Sequence, residues 1–348
     1  MPQSLPQSNP SKRRFRWPKG MPQLVALLLV LLVDSLVAPH FYQVILQDGR
    51  LFGSPIDILN RAAPVALLAI GMTLVIATGG IDLSVGSTLG LAGVCAGYMM
   101  QGINLEALGV VLYLPVWAVA ILTLAVGALV GLVNGVLIAW CRVPAFVATL
   151  GSLYVARGIA LLMTNGLTYN KLSGSDALGN TGFDWLGFNR IFNVPVGVLI
   201  LGVTALICGY LLSRTAFGRW LYASGGNERA AELSGVPVKR VKISVYVLSG
   251  ICAAMAGLVL SSQLTSAGPT AGTTYELTAI AAVVIGGAAL TGGRGNVRGT
   301  LLGAFVIGFL SDGLVIIGVS AYWQTVFTGA VIVLAVLLNT LQYGRSRR

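Results

Sequence analysis

The chain has 348 residues, of which 56% are hydrophobic and only 9% charged, and 45 are glycine. Soluble domains carry roughly 25% charged residues, so this composition excludes a soluble globular domain. The net charge of +11 does not mark a nucleic-acid binder, because the basic residues sit in short segments between apolar runs, where they set membrane orientation.

Residues 1–22 are rich in Pro, Ser and Gln, then basic (K-R-R-F-R-W-P-K), and are expected to form a disordered cytosolic tail. Apolar runs follow near 24–38, 57–78, 84–100, 114–140, 144–164, 194–212, 241–263, 275–290, 299–317 and 322–341. The first has the look of a signal-peptide core, but further runs follow without a break, so it reads as an uncleaved anchor. The expected fold is all-α: a polytopic membrane protein with about ten transmembrane helices within 23–341, each close to the ~20 residues a bilayer requires. A basic tail occupies 342–348.

An even number of spans from a cytosolic N-terminus places Lys12, Arg13, Arg14, Arg16, Lys19, Arg142, the cluster Arg214–Lys242, Arg294, Arg298 and the C-terminal arginines inside. Arg50, Lys171 and Arg190 fall outside. This is the positive-inside bias, and it makes both termini cytosolic. The outside segment 166–193 carries Tyr169, Phe183, Trp185, Phe188 and Phe192, which read as an interfacial aromatic belt or as a landing surface for an external protein. Cys95, Cys141, Cys208 and Cys252 stand singly, as small packing residues rather than metal ligands, and His40 is the only histidine.

The loop at 213–240 is too long and too charged for a simple connector. Within it Asn227 is placed to cap a short helix, Glu228 complements its dipole, and Gly235 with Pro237 stops it. A rod of roughly 10 Å is too short to be stable alone, so it must pack on something. The loop is either a docking surface for a soluble partner or an amphipathic helix lying on the headgroups.

An internal repeat pairs T-G-G-I-D-L-S-V-G-S-T-L-G from Thr78 with T-G-G-R-G-N-V-R-G-T-L-L-G from Thr291. Thr78, Gly79, Gly80, Gly86, Leu89 and Gly90 meet identical residues at one constant offset. Gly-interrupted segments in corresponding positions point toward a substrate path in transporters. Gly127, Gly131 and Gly135, and Gly250 with Ala253, Ala254 and Gly257, have the spacing that lets helix backbones approach. Acids within apolar runs cost ~2.5–3.5 kcal/mol at the membrane centre and are functional candidates by default. Asp82, Glu276 and Asp312 qualify, with Arg157 as a partner for one of them; Asp82 is also placed to cap the next helix. Ser84, Asn134, Thr149, Ser152 and Asn165 are the neutral candidates for lining a path. No G-x-x-x-x-G-K-[ST] phosphate loop occurs, so any ATP must be bound by another subunit.

T-A-F-G-R-W-L-Y-A-S-G-G-N-E-R-A-A-E-L-S-G-V with Y-V-L-S-G-I-C-A-A-M-A-G-L, I-A-T-G-G-I-D-L-S-V-G-S and A-I-A-A-V-V-I-G-G-A-A-L-T-G-G-R-G resemble the ribose/xylose/galactose-type permease subunits of bacterial ABC sugar importers. The stretch through Gly86 is most similar to galactofuranose permeases of that group. The resemblance implies a monosaccharide importer of the bacterial inner membrane, in which cytosolic ATP-binding subunits holding ATP and Mg²⁺, a second permease subunit and a periplasmic sugar-binding protein are partners. It implies no cofactor and no enzymatic activity on this chain. It also makes 213–240 the coupling loop, with Gly218, Gly225, Gly226, Asn227, Glu228, Ala230, Ala231, Ser234 and Gly235 as its site residues. Departures from the family pattern at Thr278, Ala288–Ala289 and Ser311–Asp312 bear on which sugar is carried. A branched-chain amino acid permease and an ion-coupled carrier are the alternatives.

Overall fold

The computed structural model describes residues 21–37, 45–47, 50–106, 109–316 and 318–320, with interrupted stretches between 322 and 337. The expected tails and half of the last expected span lie outside the described residues.

Every expected run from 24–38 to 299–317 carries a helix. The helices are α1 (Met21–Val37), α2 (Ser54–Ala77), α3 (Val85–Gln101), α4 (Val116–Ala139), α5 (Ala145–Thr164), α6 (Trp185–Phe188), α7 (Val196–Arg214), α8 (Ala216–Gly226), α9 (Glu228–Leu233), α10 (Val238–Leu264), α11 (Tyr275–Ile285) and α12 (Val297–Ile316). Six of them, α2, α4, α5, α7, α10 and α12, are long and apolar enough to cross a membrane. The run at 84–100 gives α3 over almost its whole length, whereas the run at 275–290 gives the shorter α11, which stops at Ile285 before the Gly286–Gly287 turn. The all-α expectation needs one correction: four two-stranded antiparallel pairs lie in the connections, among them Tyr169–Asn170 with Ser266–Ala267. They give the backbone of those connections hydrogen-bond partners.

Two helices form the centre. In the apolar stretch of each helix, 78% of the residues of α2 and 61% of those of α10 are buried, against 22% for α4 and α5. α10 packs along α4, α2 and α3. Its seam with α4 is built from missing side chains, as the small-residue spacing implied. A Cβ on Gly127 would strike the Gly250 carbonyl, one on Gly131 the Tyr246 carbonyl, and one on Gly135 would lie 2.8 Å from the Ile243 Cα. Association in lipid depends on such close packing, since the tails are as apolar as the helices. Gly131→Val must therefore push α4 off α10 and cost about 1–3 kcal/mol. Gly151→Val, on α5 with open space around the glycine, is the control. Thermal unfolding of the two variants in detergent measures the difference, and equal midpoints would count against the seam.

Candidate functional site

α7 ends in a turn capped by Thr215, whose Oγ1 accepts the Gly218 N–H at 3.4 Å, and α8 begins there. α8 was not foreseen as an element. Its signal was the cap followed by Phe217 and Leu221 four residues apart, and Leu221 is fully buried. Gly218 has no room for a Cβ against the Leu212 carbonyl, which fixes the angle between α7 and α8.

α9 follows as expected. Asn227 Oδ1 accepts the Ala230 N–H at 3.0 Å, Glu228 sits in the first turn, and Gly235 adopts φ 82°. The Val236 N–H then reaches back to the Ala231 carbonyl at 3.0 Å, closing the helix as a left-handed glycine stop does. Ala231 is buried and anchors the rod, while Glu228, Arg229, Ala230, Glu232 and Ser234 are exposed. Leu233 is 75% exposed, an apolar side chain turned outward from a charged helix. Lys242 Nζ holds Glu228 Oε1 at 2.7 Å, and Arg229 lies 3.4 Å from Glu232.

The two repeat turns meet each other at this loop. Gly79 (φ 81°) and Gly80 end α2, their N–H groups donating to the Ile76 and Val75 carbonyls. Gly292 and Gly293 (φ 83° and 74°) form the matching turn, and the Gly293 N–H donates to the Ala77 carbonyl at 3.0 Å. Gly225 of α8 closes the clasp. A Cβ there would collide with the Ala77 carbonyl and lie 2.7 Å from Gly293 N, and one on Gly292 would lie 2.6 Å from the Gly225 carbonyl. Tyr222 Oη donates to the Gly295 carbonyl at 2.6 Å, and burial pushes its phenol pKa up, so it stays a donor. One helix of the loop thus touches both copies of the repeat.

Just beyond the first turn lies a buried polar knot. Asp82 Oδ1 accepts from Ser84 N at 3.0 Å and Ser84 Oγ at 2.6 Å, and Asp82 Oδ2 accepts from Ser249 Oγ of α10 at 2.9 Å. Asn134 of α4 donates to Ser84 Oγ at 2.9 Å and accepts from Ser152 of α5 at 2.5 Å. The Thr149 hydroxyl lies 3.2 Å from the Ile81 carbonyl, with its own-helix Ala145 carbonyl the nearer acceptor at 2.8 Å. Asp82, Ser84, Asn134, Thr149 and Ser152, all expected on a path, are therefore gathered together. In this conformation all but Thr149 bond to one another, and all but Ser152 are buried. Asp82 also does the helix-capping job that its position implied. Ser249 was missed; its only signal was a lone serine in an apolar span.

The other three candidates lie elsewhere. Asn165 is exposed and ends α5 in the left-handed region (φ 51°). Glu276 is half-buried in the first turn of α11 rather than freely exposed. Its carboxylate lies against Gly86, and the Arg157 charge is nearby. Arg157 donates to the Pro269 and Ala271 carbonyls. Asp312 lies 3.8 Å from Arg61.

A bundle of apolar spans around interrupted helices, with a helical loop gripping the interruptions, is a membrane transport subunit. Residues 54–336 match the family described as "Branched-chain amino acid transport system / permease component", and the chain belongs to it. It is 48% identical over 347 residues to the galactofuranose transporter permease protein YtfT of Escherichia coli K12, covering 97% of this chain and 94% of that protein. The ribose import permease protein RbsC of Escherichia coli K12 is 43% identical over 334 residues, covering 94% of this chain and 97% of that protein. The xylose transport system permease protein XylH of the same strain is 33% identical over 402 residues, covering 98% and all of the two chains respectively. No solved structure matches the chain.

Proposed function

We propose that the chain is the permease subunit of an ATP-driven importer that carries a monosaccharide across the bacterial inner membrane. Cytosolic ATP-binding subunits hold ATP and Mg²⁺ and do the hydrolysis, and a periplasmic binding protein delivers the sugar. The orientation is the one with cytosolic termini and ten crossings, which the distribution of Lys and Arg favours. A second permease subunit completes the passage. The lipid-side face of α5, where Gly151 and Gly158 have open space, suits its approach.

The observation that carries this reading is the clasp. A displacement of α9 by a partner reaches both repeat turns through Gly225 and Tyr222, and the polar knot follows directly after the first turn. The sugar undergoes no covalent chemistry. Leu233→Asp tests the coupling assignment, because it alters an exposed side chain and leaves the buried anchor Ala231 untouched. It is expected to lower co-purification of the ATP-binding subunit at least roughly tenfold, the effect of about 1.4 kcal/mol at an interface. Unchanged co-purification sinks the assignment.

The family description names branched-chain amino acids, whereas the relatives' names specify sugars. ATP-dependent uptake of labelled galactose or ribose, rather than leucine, by the reconstituted complex separates the two. Uptake by this chain alone under an ion gradient would favour an ion-coupled carrier.

A further inference from the structure

Between α9, the start of α10, the α4–α5 turn and the first glycine turn lies a cavity of about 570 Å³. That is the size of a small-molecule site. Its wall carries Arg142, Arg229, Lys239 and Lys242 against Glu228 and Glu232. The two acids are already committed, Glu228 to Lys242 and Glu232 to Arg229. Arg142 and Lys239 have no side-chain partner among the described residues, so two positive charges face the space uncompensated.

One further observation points to a ligand, beside a backbone that fixes where Arg142 sits. Arg142 has φ 56° in the turn that ends α4, the left-handed conformation with which helices commonly close. The turn is fixed there by the Val143 N–H bonded to the Leu137 carbonyl at 3.0 Å. In the floor, the Tyr246 hydroxyl is buried with no hydrogen-bond partner among the described residues, and it lies against Gly80, which itself lines the cavity. A buried hydroxyl without a partner costs about 1–3 kcal/mol.

We propose that this cavity is a binding site for a phosphate group. A phosphate monoester carries −1.5 to −2 charges and three strong acceptor oxygens. It balances Arg142 and Lys239 together and leaves an oxygen for the Tyr246 hydroxyl. The planar guanidinium fork suits two phosphate oxygens at once, while the lysine acts as a point charge. A carboxylate supplies about half the charge. In the orientation proposed above, the cavity opens at the cytosolic membrane face, where basic pockets between spans take phosphate headgroups. The phosphate belongs either to an anionic phospholipid or to a free cytosolic phosphate compound. The site regulates rather than transports: a ligand there bridges α9 to the α4–α5 turn and the first repeat turn, and so restrains the lever.

The test uses the purified full-length chain in neutral detergent, with thermal unfolding followed by tryptophan fluorescence. Inorganic phosphate and glycerol 3-phosphate are titrated at constant ionic strength in one arm, and short-chain phosphatidylglycerol against phosphatidylcholine in the other. A saturable rise in the unfolding midpoint is expected in one arm at least. Saturation by the free anions identifies a soluble ligand, and saturation by phosphatidylglycerol alone identifies a headgroup. Arg142→Gln with Lys239→Gln should weaken that binding at least roughly tenfold, the loss of about 1.4 kcal/mol. Arg214→Gln, a basic residue of the same loop outside the cavity, should leave it unchanged. No saturable response in either arm overturns the proposal. So does a response that survives in the double variant, or one that chloride reproduces. A double variant that loses only the ATP-binding subunit assigns these cations to protein docking and overturns it too.

Discussion

Asp82→Ala is expected to destabilise the protein by about 2–4 kcal/mol, whereas Asp82→Asn should cost less than about 1 kcal/mol. The reason is the geometry of the knot rather than the charge alone. The Asp82 carboxylate is the acceptor for three donors, the Ser84 N–H and the hydroxyls of Ser84 and Ser249, and nothing replaces it where Asp82 is 2% exposed. Alanine leaves those donors in a dry interior. Asparagine keeps Oδ1 for Ser84, and its Nδ2 donates to Ser249 Oγ, which can accept as readily as donate. Ser249→Ala should be damaging in the native chain and nearly neutral in the Asp82→Ala background, since its partner is already gone. Thermal unfolding in detergent, with the monodisperse fraction on size exclusion, measures all four chains. Equal loss from Ala and Asn would mean that the negative charge itself holds the knot. Equal tolerance of both would mean the knot contributes nothing.

What the sequence revealed of this site followed from how local the interactions are. α9 was legible because a cap is a contact between residues three apart: Asn227 to Ala230 at one end, Ala231 to Val236 at the other. The glycine seam was legible because helical spacing puts Gly127, Gly131 and Gly135 on one side. The repeat was visible as matching residues, but nothing in that match told that Gly79 and Gly292 touch, because only the packing of α2 and α12 brings them together. Five of the polar residues singled out in the sequence lie together, but the bonds that join them were not legible there. Asp82 and Ser249 are bonded across 167 positions, a pairing that apolar periodicity does not encode. Where α11 stops was not legible either, because apolar length alone does not show that the Gly286–Gly287 pair ends the helix at Ile285.

Gly225→Ala should separate ATP hydrolysis from transport, and Gly226→Ala should leave the contact of α8 with the repeat turns intact. The two glycines are neighbours in α8, and either alanine has the better intrinsic helix propensity. What differs is their surroundings. Gly226 has open space where a methyl would go, whereas a methyl on Gly225 runs into the Ala77 carbonyl and crowds Gly293 N. Neither atom is the end of a flexible side chain; both are backbone at the ends of repeat turns. α8 must therefore back away, and the Gly293–Ala77 hydrogen bond and the Tyr222–Gly295 bond are strained with it. Overpacking of this kind costs about 1–3 kcal/mol, enough to hold the lever off the turns it moves. α9, its cap and Leu233 are untouched, so the ATP-binding subunit still docks and still hydrolyses. The expected result is a normal amount of co-purified subunit, ATPase activity within about twofold, and ATP-driven uptake lowered at least roughly tenfold. Tyr222→Phe removes one hydrogen bond of the same clasp without adding bulk, and should show a weaker form of the same split. If Gly225→Ala transports normally, the contact between α8 and the repeat turns is packing and carries no motion. If it loses the ATP-binding subunit as well, α8 shapes the docking surface instead of relaying what happens there.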